Sequence, residues 1–200
     1  MRSRPTPPVR GEAGAVLVEF VFLLPVIALL AFGVIEFGIA WQDRLTVQSA
    51  VRAGVRVGST AGNVATADTG ILMAVGAALN DVGLSNVNHV LVYKSSSADG
   101  AVPSACVTPA PHSVSGSCNE YSGAQLQQVV AGTAPPTWFG CGAGSLDAPW
   151  CPASRQSLQS LGADYLGVWV SANHPMVTGF FGSALTITDG AVMRLEPQGG

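Results

Sequence analysis

The residues with the clearest chemical spacing are a glycine and a glutamate at the start of a long apolar run. Gly14 is followed directly by Ala15, and Glu19 and Phe20 come one helical turn later. A carboxylate inside an apolar run costs about 2.5–3.5 kcal/mol at a bilayer centre and less near the interface, so it requires a cationic partner. Cleavage after Gly14 would create that partner, because the new amino group of Ala15 would lie near Glu19 of the same or a neighbouring chain. The spacing favours a leader-processing site here, with a flexible hinge as the alternative for Gly14.

The apolar run itself has the length of a membrane span. Between Glu19 and Glu36 the chain has no ionisable side chain. In a helix these carboxylates would lie roughly 25 Å apart, close to the ~30 Å apolar thickness of a bilayer. The run therefore predicts a transmembrane helix over residues 15–41, with Trp41 at one interface.

The charges on either side of this helix predict its orientation. The arginines of residues 1–14 form a basic leader, which favours a cytoplasmic N terminus. We expect a single-pass protein of the cytoplasmic (inner) membrane, with residues 62–200 as an extracytoplasmic domain. A removable signal peptide is the alternative, because Gly38-Ile39-Ala40 has the small-x-small form that signal peptidase accepts.

The motifs around Gly14 and Glu19 resemble the prepilin peptidase site of type IV pilins and pseudopilins. A wider set resembles the TadE-like family, pilin-like components of tight adherence (Tad/Flp) pilus assembly systems. The matching elements are Val18-Glu19-Phe20, Leu24-Pro25, Phe32-Gly33, Glu36-Phe37-Gly38 and the Ala-x-Arg-x-Gly-x-Arg pattern that begins at Ala50. The resemblance implies that a prepilin peptidase cuts between Gly14 and Ala15. It also implies that the mature helix joins other pilin-like or Tad assembly subunits.

Residues 42–61 predict an amphipathic helical stalk that continues from the membrane. Valines recur every four positions at Val47, Val51 and Val55, which is the period of one helix face. A neighbouring stripe of small residues would allow another helix to approach closely. The stripe consists of Ala50, Gly54 and Gly58. It fits two arrangements equally well, a bundle with other subunits or packing onto the protein's own sheet.

The distal region predicts an α+β fold with an antiparallel sheet. Helices are expected over 70–84 and 125–130, and long loops occupy most of residues 95–152. Strands are expected over 87–94, 165–172 and 184–188. A turn at Asp189-Gly190 would then separate the last of these from a strand over 191–195.

Four cysteines lie in the predicted loops, at Cys106, Cys118, Cys141 and Cys151. In an extracytoplasmic domain they predict disulfides, of which three connectivities are possible. The local pairs 106–118 and 141–151 are favoured because each would staple one loop with little core of its own. A zinc site is the less favoured alternative, and we expect no metal or cofactor.

Composition and motifs together argue against nucleic-acid binding and catalysis as functions of this chain. A net charge of −3 gives no basic excess for binding nucleic acid. Motifs for nucleophilic, zinc-dependent or phosphate-binding catalysis are absent from the sequence, so we expect no enzyme. The leading hypothesis is a structural TadE-like pseudopilin or minor pilin, involved in adhesion. The alternative is a membrane-anchored extracytoplasmic ligand-binding domain unrelated to pili.

Overall fold

The computed structural model describes residues 12–179 and 182–197. The chain divides into two compact units, with the boundary between Ile39 and Ala40. Most of the predicted basic leader, residues 1–11, lies outside the described residues. The first unit, as described, is the N-terminal part of a long helix. The second unit holds the end of that helix and the whole α+β domain.

Helix α1 (Glu12–Ala61) is 50 residues long and joins the predicted span and stalk without a break. Its sequence favours this length because leucine, alanine and other good helix formers are frequent and glycines are isolated. Pro25 lies inside the helix. Its ring removes one backbone hydrogen bond, a loss that apolar spans tolerate.

A four-stranded antiparallel sheet forms the centre of the second unit, which confirms the predicted α+β class. Its strands are β1 (Val87–Ser95), β2 (Cys118–Ser122), β3 (Tyr165–Pro175) and β4 (Ala184–Arg194). They lie in the order β2-β1-β3-β4, so β1 and β3 are central and β4 is an edge. The remaining helices are α2 (Ala67–Ala78), α3 (Ser104–Val107) and α4 (Gly123–Val130), with 3-10 turns at Leu84–Asn86, Pro136–Trp138, Pro152–Ser154 and Gln159–Leu161.

The two faces of the sheet carry separate apolar clusters. On the inner face, side chains of β1 and β3 such as Val90 and Val168 share one large core with α1, α2 and α4. On the outer face a smaller cluster forms around Leu91 and Tyr93. The segment that holds α3 covers this outer cluster, and Cys106 lies buried within it.

Two sequence predictions were wrong about the strands. β2 lies inside the predicted loop region 95–152, because its polar residues gave no strand pattern before β1 was available as a partner. The predicted turn at Asp189-Gly190 does not form. Both residues continue β4, where Gly190 is paired with Trp169. The Asp189 carboxylate accepts a hydrogen bond from the Gly190 amide at 2.7 Å, so the turn-forming pair is accommodated within an edge strand.

The bounds of the short helices also differ from the prediction. α2 begins three residues earlier and ends at Ala78 rather than at Leu84. The cap residue is Leu79, and Gly83 further along has a φ of 85°, a backbone conformation that favours glycine and is not helical. α4 begins at Gly123 because Ser122 and Gln125 form a capping box at its N terminus.

Candidate functional site

The predicted processing segment lies on the open surface of α1. Gly14, Ala15, Glu19 and Phe20 are all exposed. A methyl group placed on Gly14 would meet no atom within 4 Å. Among the described residues, no other part of the chain covers Gly14 or Ala15, and the bond between them lies inside α1.

The first unit presents an apolar surface that the described residues leave uncovered. Its helix has a mean hydropathy of 2.7 over its most apolar 18-residue window, and none of that window is buried. Large side chains such as Phe22 and Val34 are about three-quarters exposed. By length and composition this one helix could span a membrane. Glu36 differs from the rest of the segment in being fully buried.

The small-residue stripe of α1 packs inside the second unit's own core. Ala50 is fully buried. A side chain added at Gly54 would come within 2.5 Å of Val75 on α2, and one added at Gly58 would come within 2.7 Å of Ile71 on the same helix. Of the two arrangements that the sequence left open, packing onto the protein's own elements is the one observed. The arginines of the family pattern, Arg52 and Arg56, lie on the exposed side of α1.

A buried ion pair joins α2 to the loop that precedes β3. Asp68 and Arg155 are fully buried, with Nη1 of the arginine 2.7 Å from Oδ1 of the carboxylate. Oδ2 of Asp68 accepts further hydrogen bonds from Arg155 Nη2, Asn119 and the Tyr121 hydroxyl. The guanidinium also lies 4.1 Å from the Trp150 ring centroid. Removing either charge would leave the other buried and uncompensated.

Sequence reasoning missed this ion pair because its two members are 87 residues apart. Neither Asp68 nor Arg155 belongs to a sequence motif. Burial and the neighbouring Asp68 carboxylate raise the pKa of Tyr121 well above its ordinary value. Tyr121 is therefore held as a neutral hydrogen-bond donor, as the geometry requires. These contacts stabilise the domain and do not form an open site.

The cysteines form the two local disulfides that the spacing favoured. Cys106 is bonded to Cys118, and Cys141 to Cys151. The second bridge lies in a loop that is held by hydrogen bonds to Asp147. The Asp147 carboxylate accepts hydrogen bonds from the amides of Gly140 and Cys141 and from the Ser145 hydroxyl.

Several other titratable side chains of the second unit lie in separate pairs. His89 lies 2.8 Å from Glu120, and His174 lies 2.7 Å from Asp43. Among the described residues, no group of three or more His, Cys, Asp or Glu side chains is arranged to hold a metal ion.

Comparison with known protein families matches the N-terminal part of the chain. The model of the TadE-like protein family matches residues 14–56, from the predicted cleavage site to the second arginine of the stalk. This confirms the resemblance that the motifs indicated for that segment. No curated protein and no solved structure matches the chain.

Proposed function

Because residues 14–56 match the TadE-like protein family, we propose that this chain is a pseudopilin or minor pilin with a structural role in a Tad/Flp-type surface pilus. It would assemble or anchor the pilus and so contribute to adhesion. The observation that carries the proposal is the coincidence of this match with an apolar helix whose surface is exposed. A helix of that kind needs a lipid or protein environment.

The first step of the proposed role is storage in the cytoplasmic membrane. The apolar part of α1 spans the bilayer once, and the basic leader keeps the N terminus in the cytoplasm. The domain formed by residues 62–200 then lies outside the cytoplasm. Two disulfides support this orientation, because such bonds persist in oxidising compartments.

The second step is removal of the leader by a prepilin peptidase. Gly14 is exposed and carries no side chain that would obstruct the peptidase, and the new amino group of Ala15 would pair with Glu19. That ion pair would set the register of the helix against neighbouring pilin-like or Tad subunits. The proposed role involves no catalysis by this chain.

The test is the N-terminal sequence and intact mass of the full chain extracted from membranes of a host with its prepilin peptidase. We expect a mature chain that begins at Ala15. Gly14→Phe should abolish cleavage, because a bulky side chain would obstruct approach to the scissile bond. Gly38→Phe is the matched control, since a Cβ added to this glycine of the same helix would likewise meet no described atom within 4 Å.

Other start points would contradict the proposal. A mature chain that begins at Trp41 would show an ordinary secreted domain released by signal peptidase. An uncleaved chain in a host with active prepilin peptidase would show a plain membrane anchor and favour the ligand-binding alternative. Cleavage at Ala15 that survives Gly14→Phe would show that a different protease acts here.

A further inference from the structure

β4 forms one edge of the sheet, and no other described strand pairs with its outer side. β4 runs for 11 residues as the last strand of the sheet. Leu185 and Met193 near its ends are each about 40% exposed. Natural sheets protect such an edge with lysines, prolines, bulges or a covering segment, because unpaired backbone groups invite another strand. β4 contains neither lysine nor proline, and its pairing with β3 is regular throughout.

Among the described residues, one contact protects the backbone at the centre of this edge. The Gly190 amide is bonded by the carboxylate of the adjacent Asp189. Backbone groups of an edge strand point alternately towards the sheet and away from it. The same alternation directs the backbone groups of Thr188 and Val192 away from β3. A carbonyl of an incoming strand can replace the Asp189 carboxylate at Gly190, since both accept the same hydrogen bond.

A groove runs beside this edge on the outer face of the sheet. Its volume is about 690 Å³, within the roughly 300–1,000 Å³ usual for binding sites. Trp169 and Val192 contribute the sheet side of the groove, and the 98–102 segment contributes the other wall. The carboxylate of Asp99 is exposed at that wall.

Gly190 connects the edge to the groove. It is paired directly with Trp169, and a methyl group added to it would lie 3.4 Å from Cδ1 of the indole. A larger side chain at this position would stand between the edge and the indole. The missing side chain therefore opens a path from the edge strand into the groove.

From these two features we propose that β4 and the adjacent groove bind an extended segment of a partner protein by strand addition. The segment pairs its backbone with β4. A bulky apolar or aromatic side chain enters the groove over Trp169, and a neighbouring lysine or arginine faces Asp99. Backbone pairing supplies affinity and the groove supplies selectivity, as in other strand-addition interfaces. The proposal uses the second unit alone and does not depend on the proposed pilus role.

The first test uses labelled peptides and the full chain in detergent, with fluorescence anisotropy as the readout. The probe is a ten-residue peptide of alternating threonine and valine with a central tryptophan and an adjacent lysine. Two further peptides have the same sequence with methylated backbone amides. One is methylated at its odd-numbered residues and the other at its even-numbered residues. We expect the parent peptide to bind and one methylated peptide to lose at least about tenfold in affinity while the other keeps it. That asymmetry arises because a strand pairs through one of its edges.

Variants of the chain test the two surfaces separately. Gly190→Leu should weaken parent-peptide binding about tenfold by filling the path to Trp169, and Asp99→Lys should remove the preference for lysine in the probe. Asp189→Ala should tighten binding, because no carboxylate has to be displaced. Gly142→Leu is the matched control, since Gly142 has an open environment in another loop.

The possible results either support or contradict strand addition. Loss with one methylated peptide, together with weaker binding by Gly190→Leu and unchanged binding by Gly142→Leu, supports strand addition. Equal binding of both methylated peptides would overturn the edge pairing. No binding of the parent peptide, or equal loss in the two leucine variants, would overturn the proposal as a whole. None of these results bears on cleavage at Gly14, so the two proposals can fail independently.

Discussion

The two parts of α1 differ both in how many apolar residues they contain and in where those residues lie. Before Ala40, large side chains such as Leu30 and Val34 are mostly exposed around the helix. After Ala40, apolar side chains recur at every third or fourth position and are fully buried, as at Val47 and Val51. The family match extends across both parts.

This contrast shows that the pattern of apolar residues, together with their number, separates a membrane surface from a core surface. A helix that is apolar on all sides requires an apolar environment on all sides, whereas a striped helix buries one face. The second part also has arginines on its exposed side, as at Arg52 and Arg56. Substitutions on the two sides of Ala40 should therefore have unequal effects on the stability of the second unit.

The largest difference is expected between two carboxylates. Asp68→Ala should lower the free energy of unfolding of the second unit by about 3–5 kcal/mol, because it leaves the Arg155 guanidinium buried without its partner. Glu19→Ala should change it by less than about 0.5 kcal/mol, because Glu19 is exposed on the first part of α1. Urea unfolding of the full chain in detergent, followed by tryptophan fluorescence, measures both.

A double variant sharpens that result. Asp68→Leu combined with Arg155→Met should recover much of the lost stability, since it removes both buried charges together. If Asp68→Ala and Glu19→Ala proved equally mild, the ion pair would not be a principal support of the second unit.

The next largest effect is expected at a disulfide. Replacing both Cys141 and Cys151 with serine should lower the free energy of unfolding of the second unit by about 3 kcal/mol. The loss arises because the unfolded chain is no longer restricted by a bridge with a sequence separation of 10. The paired replacement of Cys106 and Cys118, with a separation of 12, should cost a similar amount. Urea midpoints measure both, and N-terminal processing at Gly14 should be unchanged in either variant. A change in processing would mean that the two units do not behave separately.

A smaller effect is expected from glycines of the same helix. Gly58→Val should destabilise the second unit by about 1–3 kcal/mol, because its side chain would overlap Ile71 and Leu166. Gly38→Val should leave the same transition within about 0.5 kcal/mol, because a side chain there meets nothing within 4 Å. Thermal unfolding monitored by circular dichroism compares the two. Equal shifts would remove the distinction between the two parts of α1.

The smallest effect on stability is expected from the ionisation of Tyr93 at alkaline pH. Burial raises the pKa of Tyr93 to about 12, whereas an unfolded tyrosine ionises near 10. The folded state therefore holds its proton more tightly, and stability should fall as the pH rises from about 10 towards 12. Tyr93→Phe should make this decline shallower. Unfolding midpoints collected from pH 9 to 12 test it, and an identical slope in the variant would contradict the assignment.

The sequence predicted those features that rest on local patterns. Valine-rich β1 and β3 could be located because their side chains are buried in the sheet, and the valine stripe of α1 could be located by its period. The disulfide pairs followed from short separations within loops. Each of these features needs only neighbouring residues to be recognised.

Features that depend on distant partners could not be predicted in the same way. β2 is five residues long and carries Asn119 and Glu120, so it becomes a strand only beside β1. The link between Asp68 and Arg155 exists only when α2 and the segment before β3 are brought together. The groove beside β4 depends on the spacing of Trp169 and Gly190 on neighbouring strands, which no local pattern shows.

The end of α1 has a consequence for mechanical load. Ser59 on the last turn donates a hydrogen bond to the Arg194 carbonyl at 2.6 Å, and its own carbonyl accepts one from the Glu196 amide at 3.0 Å. The helix is thus tied at its far end to the last strand and packed through its length after Ala40. A load applied to the end of α1 in the second unit would therefore be shared between these two hydrogen bonds and the buried face of the helix.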